Sequence, residues 1–361
     1  MNPAARERHL YHDSRQPLSM GCLSCPDRQV CGGLQVSPGL FSCTDLCRCA
    51  NAQHCRYVCR RNPVRFVSRV QEIGGFSLDN VPKARRLLLP HLPLVTPFLF
   101  DGSHRQNWLT SQSVAIKLRH LIDYPSGRLK FSNRAALARH FKFDPNAQVI
   151  ISGVDKDKRI EPYWSVVHRS EIVAQLCALA PDLITVPNFS MFLDIPRWDN
   201  LHNMKRIALC WSELISRGLP TSLHLNARTD RDWERWIEFI RGRDEVASVT
   251  VEFGTGLARK ERAQWHVDKL HMLASKVPRA LHLTMRGGVT YLRELSRSFN
   301  TISLLDSSAF MKTTHRRRLD WEPGRRGRWR TITMAEAEPL DALLQHNVTR
   351  LAEMRAYQIS H

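Results

Sequence analysis

The chain has 361 residues, 43% hydrophobic and 24% charged, a balance that excludes a disordered or collagen-like protein and leaves a globular one. Lys and Arg number 53 against 34 Asp and Glu, a formal net charge of +19 that favours a polyanionic partner, nucleic acid before others. No run approaches the ~18 consecutive apolar residues of a spanning helix, and MNPAARERHLYHDSR has no apolar stretch behind its charges, so a cytoplasmic protein with no membrane partner is expected.

Eight of the ten cysteines, Cys22, Cys25, Cys31, Cys43, Cys47, Cys49, Cys55 and Cys59, crowd into the start of the chain. In a reducing compartment such thiols are free to bind metal, whereas an oxidising one would turn them into a disulfide scaffold. Cys22-x2-Cys25-x5-Cys31 with Cys43 can form one four-thiolate site and Cys47-x-Cys49-x5-Cys55-x3-Cys59 a second; interleaved pairing is equally open. Pro26, Gly32 and Gly33 supply turns, and His54 is a possible substitute ligand. Zinc is the expected metal, with an iron–sulfur cluster as the alternative; the radical S-adenosylmethionine spacing is absent. Cys177 and Cys210 lie among apolar residues and read as core. This defines a cysteine-rich metal-binding module over 1–66, followed by one large domain over 67–361.

Within 104–146 the segment SNRAALARHFKF reads as a small basic helix. From residue 94 onward, β-branched runs alternate with amphipathic helical stretches. The runs are VTPFLF (95–100), QVIISGVD (148–155), DLITVPNFS (182–190), TSLHLNA (221–227), SVTVEFGTG (248–256), ALHLTMRGG (280–288) and TISLLDSSAF (301–310). The helix after NLHN should end at Gly218, and Thr229 or Asp230 should cap the next. Seven evenly spaced strands with single helices between them predict an α/β fold of the (β/α)8-barrel type. RTITMA (330–335) is the candidate eighth strand and LDALLQHNVTRLAEMRAY the closing helix.

Function in such a barrel sits at the C-terminal ends of the strands. Those ends offer Asp155, Asn188 with Ser190, Asn226 with Arg228, Glu252 with Gly254 and Gly256, Arg286-Gly287-Gly288, and Asp306 with Ser307 and Ser308. KDKRIEPYW after Asp155 reads as a charged loop. Asp306 suits a nucleophile or general base, and Glu252 suits proton transfer. Asp155, Asn188, Asn226, Arg286, Gly287, Gly288, Ser307, His315, Arg316, Arg317 and Arg318 are the candidate substrate-binding residues, the glycines because they let backbone N–H groups approach a phosphate. The loop near 315–330 carries seven arginines with Trp321 and Trp329, a mixture suited to phosphate contacts and base stacking.

A cysteine module, a (β/α)8 pattern, a basic surface and the segment LLDSSAFMKTTHRRR together resemble the queuine/archaeosine tRNA-guanine transglycosylase superfamily, including its DNA-modifying and defence-associated relatives. The resemblance implies a pentosyl transferase that exchanges a base in tRNA or DNA, with Asp306 as the nucleophile that displaces the base from the sugar. The family's zinc site follows the barrel with other spacings, and its base-holding motif of Asp, Ser and paired glycines has no counterpart here, so no base-binding residue carries over. TVPNFSMFLDIP and the helix after it are similar to a domain of unknown function in phage- and plasmid-borne proteins. The alternatives from other classes are a metal-dependent nucleic-acid-binding module with an idle barrel, and an iron–sulfur redox enzyme.

Overall fold

The computed structural model describes residues 17–35, 42–47, 49–101, 105–166, 169–192, 194–254, 260–335 and 338–361. Gly256, one of the expected strand-end glycines, lies outside them. The chain divides into two compact units: Met1–Lys83 with Asn188–Ser212 and Leu225–Arg243, and Ala84–Pro187 with Glu213–His224 and Asp244–His361.

The second unit contains a closed barrel of eight parallel strands. They are β1 (Val95–Leu99), β2 (Ser113–Lys117), β3 (Gln148–Ser152), β4 (Leu183–Thr185), β5 (Thr221–His224), β6 (Ser248–Glu252), β7 (His282–Arg286) and β8 (Thr301–Asp306). Each pairs with its neighbours in sequence and β8 closes on β1. The fold is the expected (β/α)8 barrel, with one strand reassigned. SVAIK, within the stretch read only as a basic helix, is β2, while RTITMA gives only Arg330 and Thr331 to a strand, Arg328–Thr331, that pairs antiparallel with Arg317–Asp320 in a separate hairpin. The expected helix follows β2 at Arg134–Phe141, capped by the Asn133 side chain on the Ala136 N–H. KDKRIEPYW is largely helical, Asp157–Ser165, rather than a loop. The closing helix is present at Asp341–Ser360.

Register fixes which side chains enter the barrel, because successive residues of a strand face opposite sides. Phe98, Ala115, Ile150, Leu183 and Leu305 pack with Leu92 in one buried cluster. They also stand opposite one another across neighbouring strands: Phe98 beside Ala115, Ala115 beside Ile150, and Ile150 beside Leu183. These are the inward positions. Carrying the alternation around the barrel through the remaining pairs makes Ser222, His224, Thr250, Glu252, His282, Thr284, Arg286 and Ser303 inward as well. The apolar cluster thus fills one side of the interior. Cross-strand hydroxyl bonds, Ser222 to Thr250 at 2.6 Å and Ser248 to Ser222 at 2.8 Å, satisfy the other.

In the first unit, the N-terminal segment is held to residues of Asn188–Ser212 and Leu225–Arg243 by polar anchors. The Val58 N–H donates to Asp199 Oδ1 at 2.8 Å, Trp198 Nε1 donates to Asp27 Oδ2 at 2.8 Å, and His202 Nε2 meets Glu72 Oε1 at 2.9 Å. Lys205 donates to the Ser77 carbonyl and to Asn80, and Arg235 donates to the Phe76 carbonyl at 2.5 Å. Thr229 caps the helix Asp230–Arg241 in a reciprocal pair with Asp232, as the sequence predicts. Cys210 is buried, but Cys177 is exposed and is not the core residue expected of it. Among the described residues no helix is long and apolar enough to cross a membrane.

Candidate active site at the barrel mouth

Lys117 ends β2, two residues after inward Ala115, and so projects into the C-terminal mouth. Its Nζ lies 3.2 Å from Asp155 Oδ2 and 5.6 Å from the centre of the Phe100 ring. Asp155, just beyond β3, is also met by Arg119 Nε at 2.5 Å and, more loosely, by Arg159 at 4.0 Å. Glu252 and Arg286 end β6 and β7 directly opposite one another, with Arg286 Nη1 3.2 Å from Glu252 Oε1. The same Arg286 nitrogen donates to the Val154 carbonyl at 3.1 Å, and its guanidinium lies 5.6 Å from the Phe98 ring centre. Phe98 and Phe100 stack with centroids 5.8 Å apart, giving the mouth an aromatic wall.

Four cations, Lys117, Arg119, Arg159 and Arg286, therefore meet two carboxylates, Asp155 and Glu252. Burial pushes the Lys117 ammonium below the ordinary lysine range; Asp155 opposes this, while Arg286 and Arg119 add to it. Burial alone would raise Asp155, but the Lys156 N–H at 2.8 Å and the Lys117 and Arg119 charges hold its carboxyl below the usual range. The Tyr124 phenol is pushed up to about 12, first by burial and then by the Asp155 charge. A low-lying lysine beside fixed carboxylates can move a proton, and the excess of cations can hold an anion.

Asp306 is not part of this cluster. It follows inward Leu305, so alternation turns it to the outer side of the barrel wall. There its Oδ1 accepts from the Ser308 N–H at 2.5 Å and from the Ser308 hydroxyl, securing the start of the helix Ser308–Thr314, and Arg355 of the closing helix senses its charge. Ser307 precedes that helix, and its carbonyl accepts from the Met311 N–H at 2.9 Å.

Gly287 and Gly288 have φ of +72° and +66°, in the left-handed region. A Cβ on Gly288 would sit 2.4 Å from the Phe253 ring, so close packing of that ring already requires glycine. Asn188 and Asn226 lie in the first unit and satisfy one another: Asn226 Nδ2 donates to Asn188 Oδ1 at 2.9 Å and to the Phe189 carbonyl at 3.0 Å.

Arg317 and Arg318 stand on the hairpin Arg317–Asp320/Arg328–Thr331, just after exposed His315 and half-buried Arg316. Leu319 is buried beneath it, and Asn347 of the closing helix accepts from the Leu319 N–H and donates to the Arg317 carbonyl, both at 2.8 Å. The other face presents Arg318, Arg328 and Arg330 to solvent, with Arg318 directly opposite Arg330, and Arg317 is exposed at the start of the hairpin. Arg330 is tied to Asp320 at 2.8 Å.

The eight N-terminal cysteines, all unbridged, fall into two neighbourhoods. Cys22, Cys25, Cys31 and Cys43 line one cavity of about 40 Å³, and Cys47, Cys49, Cys55 and Cys59 are electrostatic neighbours of one another. His54 is exposed. Among the described residues no three His, Cys, Asp or Glu side chains already stand in a metal-holding arrangement.

Sequence reasoning missed Lys117 and Arg119. The signal was a largely apolar five-residue run ending in a lysine, SVAIK, in the long gap between VTPFLF and QVIISGVD. No protein-family model matches the chain, and no curated protein is similar to it.

Proposed function

We infer that the chain is a barrel enzyme that acts on a phosphate-bearing nucleoside substrate, within a nucleic acid or free, and exchanges or removes its base. The observation that carries this reading is the convergence of Lys117, Asp155, Glu252 and Arg286 at the barrel mouth, with more cations than carboxylates and a wall of two phenylalanines. Such a mouth suits a flat ring against Phe98 and Phe100 and a phosphate against the cations. The base-exchange expectation keeps its reaction class but changes its residue. Glu252, held close to Arg286, is the inward carboxylate positioned to attack or stabilise a sugar carbon, in place of outward Asp306. Lys117, easier to deprotonate than an ordinary lysine, suits the proton that the departing base must gain.

The test is incorporation of labelled guanine into tRNA and into duplex DNA, with release of free base measured in parallel. Wild-type protein should catalyse one of these reactions, Glu252→Gln should lose it while retaining its circular dichroism spectrum, and Asp306→Asn should retain it. Turnover by Glu252→Gln at the wild-type rate would end the assignment. A second reading, polyanion binding without turnover, is favoured by the hairpin, whose opposed arginines gain nothing from each other in the free protein. It calls for salt-sensitive oligonucleotide binding and no base released under any condition.

A further inference from the structure

The cavity lined by Cys22, Cys25, Cys31 and Cys43 is surrounded by groups that a set of neutral thiols leaves poorly served. Arg197, at the start of the helix Arg197–Ser216, is buried to 4% exposure. One of its nitrogens, Nη2, pairs with Asp232 and Thr229. Its Nε and Nη1 are buried with no oxygen to accept from them, and the Cys31 thiol is the neighbour the guanidinium turns to. Poorly paired guanidinium donors in an interior are costly, and a neutral thiol is a weak acceptor. Arg235, also buried, adds a second cation, so two guanidiniums share the single carboxylate of Asp232. The surroundings call for more negative charge at the cysteines.

Backbone geometry points the same way. The Leu34 N–H donates to Cys22 Sγ at 3.3 Å, and the Arg197 N–H donates to Cys43 Sγ at 2.9 Å. Gly32 and Gly33, with φ of +82° and +79°, turn the chain back over Cys31; a Cβ on Gly33 would strike Leu18 at 2.5 Å. N–H groups aimed at sulfur and a tight glycine turn are what a metal-bound thiolate receives from its surroundings.

We propose that Cys22, Cys25, Cys31 and Cys43 bind one zinc-class divalent ion as four thiolates, with Arg197 donating to Cys31 as the positioning residue of the site. Four thiolates around a divalent cation carry a net charge of −2, which the surplus guanidinium partly offsets and which turns Cys31 from a weak acceptor into a strong one for Arg197. Ligation draws the four sulfurs together around the cavity they line. Each cysteine loses its proton to solvent on binding, so the step is a simple exchange of protons for metal with no redox partner.

The experiment uses the full chain, purified anaerobically, with metal measured by mass spectrometry and the site read by cobalt substitution. Zinc should be present, and cobalt should give thiolate charge-transfer and tetrahedral ligand-field bands. Cys43→Ser should lose one ion per chain, exposed Cys177→Ser none, and Arg197→Met should weaken the affinity by about 10–100-fold. Should Cys43→Ser fail to fold, titration of wild-type protein with a thiol reagent answers the same question, since four thiols should react for each zinc released. Unchanged metal content in Cys43→Ser, free reaction of the thiols without zinc release, or iron with sulfide in place of a single ion would each overturn the proposal.

Discussion

His282 offers a test of the barrel register that needs no knowledge of the substrate. It starts β7 on the inward side, four residues before Arg286, and its Nδ1 meets Thr301 Oγ1 at 3.0 Å. Burial first, and His91 second, lower its pKa from 6.5 to about 4. Above pH ~6.5 the ring is neutral in folded and unfolded chains alike and contributes no pH dependence. Between about 6.5 and 4 only the unfolded chain takes the proton, so stability falls as pH falls, by ~1.4 kcal/mol per pH unit and about 3 kcal/mol across the window. Below about 4 both states are protonated and this loss stops growing. His282→Asn keeps a hydrogen-bonding amide facing Thr301 but cannot titrate. Urea unfolding at about pH 7 and about pH 4 should therefore show wild-type protein losing ~3 kcal/mol more than the variant. Equal losses would mean that His282 titrates like an exposed histidine; the alternation that places Arg286 and Glu252 in the mouth would then be wrong.

Lys117→Met should weaken inorganic phosphate binding by about tenfold or more, the scale of one charge-assisted hydrogen bond, as measured by calorimetry; unchanged affinity would remove Lys117 from the anion site. Asp306→Ala should lower stability by about 0.5–2 kcal/mol through the lost helix-start bonds, seen in the urea midpoint, and leave phosphate affinity untouched. Replacing Arg318 and Arg330 by Ser should reduce the salt dependence of oligonucleotide binding by about one phosphate contact per arginine, read from the slope of log affinity against log salt. Glu72, which burial alone would raise, is held down to about 2 by hydrogen bonds from His202 and Arg69. Its contribution is present above ~4.5 and lost as pH falls toward 2, so Glu72→Gln should flatten the acid limb of the stability curve there.

Most of the barrel was legible because strands buried on both faces appear as continuous apolar runs, and seven of them stood out from the helical stretches between. SVAIK did not, because it ends in Lys117 and passes straight into the helix Leu118–Leu121 with no glycine or proline to mark the break. RTITMA misled for the opposite reason: alternating Thr and Ile suit a half-exposed hairpin as well as a barrel strand. The orientation of Asp306 was beyond the sequence on physical grounds. Leu304 and Leu305 are both buried, one on each face of β8, so the apolar pattern carries no parity from which to orient the next residue. The Glu252 and Arg286 pair likewise depends on the register of two strands 34 residues apart, which only the folded barrel defines. Spacing alone left two quartets and an interleaved pairing equally open; the neighbourhoods of the eight thiols, and the closeness of Arg197 and Asp232 to one of them, depend on the fold and could not be read from the cysteine segment.

The anchors within the first unit impose an order on synthesis. Asp27 must meet Trp198, 171 residues later, and Val58 must meet Asp199, 141 residues later. At roughly 5–20 residues per second, the N-terminal thiols leave the ribosome about ten to thirty seconds before their partners exist. Throughout that interval the nascent segment offers eight reactive sulfurs to oxidants, stray copper and other chains. The conditions of expression, including cellular redox state and translation speed, should therefore govern the yield of correctly folded protein at least as strongly as the stability of the finished barrel.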